Sequence, residues 1–334
     1  MPEFHDHPTK RIIREQWCKP LLAHISEKLG KKLIYLGLPG IKILDILAWK
    51  EYLDKVIAFD CGDYSNPPDP KKSKESLDEL DENLRKLERS GILKNYSLYC
   101  GYIEKVVLKG LDENGNRFNL ENIEDFVTVY HLDFCNSLTV PFVVVDEKGN
   151  TSKHYKAEVI AKLLEHERDF SSENESKKFV MFLTVHSQFW ENEVEKSLDQ
   201  ENSEKYEKYL GDISKLKVED KKIRLLKLYT FYVLKNHFCT RQFIPDFLTP
   251  IYYEGTGGNW LVCFTIIGTY NKMPSGSAHF YQDIEKLLNS KFLLADKNSI
   301  IPLKNTDLEE IDTEADPVKL FCNSETYNRH WSKR

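Results

Sequence analysis

The sequence predicts an α/β fold in three layers, with a mostly parallel sheet ending in an antiparallel C-terminal hairpin. Three observations carry this. Short apolar runs recur along the chain and stop at Gly or acidic residues. Amphipathic helical stretches separate them, the pattern of a parallel sheet covered on both faces. The last two runs are joined by Gly255-Thr256-Gly257-Gly258, a short turn that suits an antiparallel pair.

Residues 9–29 carry Ile12, Ile13, Trp17, Leu21, Leu22 and Ile25 at helical spacing, and Gly30 supplies the stop. The run 33–36 is the first strand and breaks at Gly37-Leu38-Pro39-Gly40; a helical stretch, 41–53, follows. The run 56–59 is the second strand and halts at Asp60. A proline-rich loop, 66–70, leads into a charged helix over 72–90 with Leu77, Leu80, Leu84 and Leu87 on one face. Strands are expected at 96–100, 127–132 and 179–185, with a helix near 155–169. A long helix at 221–238 precedes the closing pair, 247–253 and 260–269.

Two stretches leave alternatives open. Residues 103–118 fit a helix or a hairpin around Asn114-Gly115, and residues 141–155 fit a hairpin around Gly149-Asn150. The domain reading is an N-terminal helix (1–30), a core of 31–186 and 221–295, a helical insertion or lid (187–220) and a C-terminal tail (296–334).

Composition narrows the function classes. The chain has 334 residues, 41% hydrophobic and 30% charged, with 17 Tyr and 18 Phe against 15 Gly, so a packed core is expected rather than disorder. No apolar run approaches the ~18 residues of a membrane span, and the N-terminus lacks the basic and apolar regions of a secretory signal. The seven cysteines form no C-x-x-C pair and are read as reduced thiols, with no metal site. A net charge of −6 excludes a wholly basic nucleic-acid wrapper. These features point to a cytoplasmic globular protein without a membrane partner.

In an open α/β sheet, ligands bind outside the carboxyl ends of the strands. Those ends are Gly37 to Gly40, Asp60-Cys61-Gly62, Cys100-Gly101-Tyr102, Asp133-Phe134-Cys135-Asn136 and Thr184-Val185-His186. Glycine in the first turn permits close backbone approach to a ligand, and the following helix offers unpaired N–H groups. Asp60 lies 23 residues beyond Gly37, a spacing that suits a carboxylate accepting from ribose hydroxyls.

This order of glycine turn, acid after strand two, polar fourth strand end and final antiparallel hairpin resembles the class I, Rossmann-like S-adenosylmethionine-dependent methyltransferases over roughly residues 30 to 270. That family has a seven-stranded sheet in which only the last strand is antiparallel. The resemblance implies S-adenosylmethionine as cofactor. The turn Gly37, Leu38, Pro39 and Gly40 would border its methionine moiety, Asp60 with Cys61 its ribose, and Gly101 and Tyr102 its adenine.

Asp133-Phe134-Cys135-Asn136 looks like a distant variant of the Asp-Pro-Pro-Tyr motif of amino-group methylases. Asp133 and Asn136 would then orient a target nitrogen and Phe134 would stack on the substrate, so the implied activity is methyl transfer to an amine, including a nucleobase amine. Two departures are visible: Tyr35 stands where the family commonly has an acid, and both motif prolines are absent. A scaffold or nucleotide sensor in a multiprotein assembly is the alternative reading.

Other candidates are weaker. Cys61, Cys100 and Cys135 are read as packing residues at strand ends, His186 as a partly buried hydrogen-bonder, and His5 and His7 as inert. Residues 221–241 carry Lys221, Lys222, Arg224, Lys227, Lys235 and Arg241, no acid, and interleaved Tyr229, Phe231, Tyr232 and Phe238. Such a segment either tracks a nucleic-acid backbone or is an amphipathic helix with a buried aromatic face.

Overall fold

Five parallel strands and one long antiparallel strand form the centre of the molecule. The computed structural model describes residues 6–63, 65, 68–118, 126–134, 136–145, 148–169, 177–187, 218–273, 278–303 and 314–332, without the side chains of 169 and 218–223. The expected insertion or lid over 187–220 falls largely outside the described residues, as do His5 and Cys135.

The parallel strands are β1 (Leu33–Gly37), β2 (Leu53–Asp60), β3 (Asn95–Cys100), β4 (Val129–Asp133) and β7 (Lys178–His186). A separate two-stranded hairpin, β5 (Phe142–Val145) and β6 (Thr151–His154), fills the stretch read from sequence as a hairpin. Beyond β7 lie β8 (Phe243–Phe247), β9 (Ile251–Glu254), β10 (Trp260–Tyr270), β11 (Leu293–Ala295) and β12 (Ile300–Pro302). The ten-stranded sheet runs β12-β11-β9-β10-β7-β4-β1-β2-β3, with β8 also paired to β10.

β8 and β9 are two halves of one strand along β10, since residues 243–247 pair with 266–270 and 251–254 with 260–263. Pro250, which has no N–H to donate, lies in the break. β10 is antiparallel to both β7 and this split strand, so it is the reversed strand within an otherwise parallel core. The strand order reverses between β1 and β4, the switch point at which such sheets bind ligands. This strand order is a Rossmann-like arrangement, as the sequence predicts. The short β11 and β12 extend the sheet where the sequence gives no clear signal.

Alternation along the strands feeds a core on each face. In β7, Phe179, Met181, Leu183 and Val185 join one core while Val180 and Phe182 join the other. A register slip of one residue would exchange the two sets. The first face is covered by α5 (Ile103–Lys109), α6 (Lys156–Asp169) and α7 (Val218–Thr240). The second is covered by an N-terminal helical run, α3 (Leu44–Trp49), α4 (Pro70–Arg89), and two C-terminal helices, α9 (Pro317–Cys322) and α10 (Glu325–His330). A short α8 (Ile284–Asn289) precedes β11.

The N-terminal run comprises α1 (Pro8–Ile12), a π-helical turn Ile13–Cys18 and α2 (Lys19–Leu29). Gly30 ends it in the left-handed conformation, φ 66°, with its N–H on Glu27 and Ser26 carbonyls. The π turn carries Trp17, fully buried, whose Nε1 donates to Thr265 Oγ1 at 2.8 Å. α4 begins where Asp69 accepts from the backbone of Lys71 and Lys72, with Pro70 in its first turn, and it buries Leu80, Leu84 and Leu87. Residues 103–118 satisfy both readings: α5 comes first, then a tight turn closed by the Leu111–Arg117 bridge, with Gly115 at φ 82°.

The described side chains of the cationic segment 221–241 pack mainly into a core. Tyr229, Phe231 and Phe238 are buried in the first core. Lys227 is 0% exposed; its Nζ donates to the carbonyls of Leu288 and Ser290 and to Ser290 Oγ, at 3.3, 2.7 and 3.0 Å. Arg224 is also buried, and Arg241 pairs with Glu165 at 2.6 Å. The four-carbon stem of a lysine packs well in a core once its ammonium is hydrogen-bonded.

Asp246 on β8 is fully buried, and burial pushes its carboxyl up to about 7, with the Ser324 hydroxyl opposing that shift only in part. Between pH ~4 and ~7 the folded chain keeps a proton that the unfolded chain has lost, so stability falls as pH rises through that window. Asp246→Asn should therefore raise the unfolding free energy near pH ~8 by on the order of a few kcal/mol, and with it the Tm, and change both little near pH ~4. Thermal melts of both proteins across that range check it.

Candidate functional site

A cavity of about 310 Å³ opens at the carboxyl ends of β2, β3 and β4. Its volume is at the lower end of the ~300–1,000 Å³ usual for small-molecule sites. Asp60 and Cys61 come from the end of β2, Gly101 and Tyr102 from the end of β3, and Asp133, Phe134 and Asn136 from the end of β4. Leu38, the start of α5, residues 140–142 and Lys156 complete the wall. Strand ends more than seventy residues apart in sequence thus share one cleft.

The loop after β2 is shaped by its own backbone. Asp60 Oδ1 accepts from the Gly62 N–H at 2.7 Å, and Gly62 sits at φ 74°. A Cβ on Gly62 would stand 2.3 Å from the Ser73 carbonyl oxygen in α4, so only glycine lets the loop pass beneath that helix. β3 is fixed alongside: Gly101 N donates to the Asp60 carbonyl at 2.8 Å. Asp112 then clamps the next turn, taking the backbone N–H groups of Cys100, Asn114 and Asn116 at 3.1, 2.9 and 2.7 Å. Tyr102 follows, with the Lys105 ammonium 5.2 Å from its ring centroid.

The glycine turn after β1 is placed differently from the expectation. A Cβ on Gly37 would lie 2.2 Å from the His131 carbonyl oxygen, so this glycine seats β1 against β4. Leu38 N donates to that same carbonyl at 3.1 Å and its side chain reaches the cavity. Pro39 and Gly40 are not among the lining residues; Gly40, at φ 63°, serves the turn itself.

Beneath this turn runs a polar chain. The Tyr35 hydroxyl meets His131 Nδ1 at 3.1 Å, His131 Nδ1 lies 3.4 Å from Asp45, and Asp45 pairs with Arg14, which also holds Asp6. Tyr35, in the place where the resembled family commonly has an acid, is thus a buried hydrogen-bonder; burial pushes its hydroxyl pKa well above the usual value.

At the end of β4, Asp133 and Asn136 stand at the mouth of the cavity, Asn136 exposed and Asp133 29% exposed. Asp133 Oδ2 accepts from the Lys10 ammonium at 2.6 Å. Phe134 lines the cavity but is 1% exposed and packed in the first core, so its ring is a wall rather than a free-standing stacking platform. Lys156, also buried, reaches from the start of α6 to the Ser137 carbonyl at 3.4 Å, with its ammonium 5.7 Å from the Phe134 ring. Local sequence pattern reveals neither Lys10 nor Lys156, because each meets the site only through the fold.

Cys61 is buried and Cys100 half-buried, with burial pushing the Cys100 thiol up. His186 lies at the end of β7 outside the cavity lining, and burial lowers its pKa. Among the described residues, no group of three or more His, Cys, Asp or Glu is placed to hold a metal ion, and no helix is long and apolar enough to cross a membrane.

No family model and no curated protein matches the chain. Solved structures do align with it. EvdMO1 matches at 12% identity over 79% of this chain and 41% of its own, with a TM-score of 0.34. An rRNA methylase from Streptococcus thermophilus matches at 9% identity over 76% and 95%, TM-score 0.33. A SAM-dependent methyltransferase from Agrobacterium tumefaciens matches at 12% identity over 77% and 62%, TM-score 0.36. The chain therefore spans less than two thirds of the first and third of these proteins. With identities and scores this low, the strand order itself defines the fold.

Gly62 and Gly40 separate two roles of glycine. Gly62→Ala should cost ~2 kcal/mol or more, combining backbone strain with a backbone clash. Gly40→Ala meets open space and should cost only the ~1 kcal/mol of a left-handed alanine. Urea unfolding midpoints of the two variants check the order.

Proposed function

We propose that this chain binds S-adenosylmethionine in the strand-end cavity and transfers its methyl group to an amine. The observation that carries the reading is the convergence of Asp60, Gly101, Tyr102 and Asp133 on one cavity beside the switch point of a methyltransferase-type sheet. The donor set suits the cofactor. Asp60 offers a carboxylate to ribose hydroxyls, while Leu38, Ile103 and Phe142 offer apolar surface to an adenine. Leu38, rather than the glycines beside it, would border the methionine moiety.

The bound cofactor supplies an electrophilic methyl on a sulfonium. The chain's own part is to orient the acceptor nitrogen: Asp133 and Asn136 sit at the cavity mouth as hydrogen-bond acceptors for it. Phe134 would contribute shape to the cavity wall. A nucleobase acceptor gains no support from residues 221–241, whose aromatics are core; the amine class rests on the β4 end alone.

Calorimetric titration with S-adenosylmethionine and S-adenosylhomocysteine tests the reading. Micromolar binding is expected, weakened ~10- to 100-fold by Asp60→Asn, which keeps an acceptor for Gly62 but removes the charge, a loss of ~1.5–3 kcal/mol. A folded wild-type protein that binds neither compound would overturn it.

A further inference from the structure

The carboxylate placed to receive the acceptor amine already holds one. Asp133 lines the cavity, and its Oδ2 lies 2.6 Å from Lys10 Nζ. We propose that Lys10 is a self-modification site: the chain methylates its own Lys10, and the acceptor class that Asp133 recognises is a primary alkylammonium. This rests on the cofactor reading given above.

The fold aims Lys10 with anchors on either side of it. Thr9 Oγ1 donates to the Glu254 carbonyl at the end of β9, at 2.6 Å, and is itself met by His7 Nδ1 at 2.7 Å. Four residues beyond Lys10, Arg14 is tied to Asp45 in α3 and to Asp6. These contacts pin the N-terminal helical run to the end of β9 and to α3, so it does not need the Lys10 pair to dock. A pair with both partners about 30% exposed adds only ~0–1 kcal/mol to stability. The arrangement therefore contributes little to the fold while placing a primary amine against the cavity's own carboxylate.

The reaction balances without a further reagent. The Lys10 ammonium gives one proton to Asp133 Oδ2, which returns it to the solvent that reaches both groups. The freed nitrogen lone pair forms the N–CH3 bond as the S–CH3 bond breaks, and that bonding pair stays on sulfur, leaving a neutral thioether. The methylated nitrogen is again cationic. One or two methyl groups leave an N–H for Asp133 and three leave none, so mono- and dimethyl-lysine are the expected products.

The test uses the full chain purified without added cofactor, incubated with S-adenosylmethionine and followed by peptide mass spectrometry, with calorimetry of S-adenosylmethionine on the same preparation. Methyl on Lys10, formed at a rate per molecule independent of protein concentration and lost in Asp133→Asn, is the expected result. Cofactor binding without methyl on Lys10 would overturn the proposal and leave the cofactor reading standing; absence of binding would overturn both.

A second measurement needs no cofactor. Lys10→Ala, or Lys10→Gln if the alanine variant does not fold, should gain thermal stability from butylammonium that wild type and a variant also carrying Asp133→Asn do not. A variant indifferent to butylammonium would remove the ammonium site.

Discussion

The approach of β1 to β4 at Gly37 is the constraint on which the site depends. A side chain there would run into the His131 carbonyl at 2.2 Å, and that carbonyl also takes the N–H of Leu38. Close packing has two effects at once. It brings the ends of β1 and β4 together at the switch point, and it turns the chain sharply enough for Leu38 to reach the cavity. The Tyr35–His131–Asp45–Arg14 chain braces the same junction from the second face, joining β1, β4, α3 and the N-terminal helical run. Rigidity under the cleft thus comes from backbone proximity and buried hydrogen bonds.

The other wall is held by backbone donors gathered on carboxylates. Asp60 and Asp112 each accept main-chain N–H groups just after a strand, so the turns that follow β2 and β3 have little freedom. Hydrogen bonds of this type, to a charged acceptor, contribute ~1.5–3 kcal/mol each. The consequence is a preorganised mouth, which any reaction depending on alignment requires.

Much of this was legible in the sequence because it is local. Strand ends are marked by a change from apolar to polar residues, and that change points to Asp60, Gly101, Tyr102, Asp133 and Asn136, which line one cavity. Helix stops such as Gly30 carry their own signal. What was hidden depends on partners distant in sequence. Lys227 is as basic as any surface lysine, and only the carbonyls of Leu288 and Ser290 make it a core residue. Lys10 lies 123 residues from Asp133. Phe134 looks like an exposed ring in a strand-end motif, yet the packing of α6 and β7 encloses it. Gly37 carries a turn signal of its own, but the carbonyl of His131 in β4 that stands where its Cβ would be is visible only in the fold.

The position of β10 has a consequence for how the chain comes off the ribosome. β10 lies between β7 and the split strand β8–β9, and none of those strands completes its pairing without it. During synthesis β7 therefore keeps a bare edge until residues 260–270 emerge, after the whole of α7 has been made. The N-terminal helical run waits as well, since Trp17 needs Thr265 and Thr9 needs Glu254. A nascent chain with an open, apolar central strand is the species most exposed to edge-to-edge aggregation. Growth at lower temperature, slower translation or added chaperone capacity acts on that interval, and truncation before residue 270 leaves it permanently open.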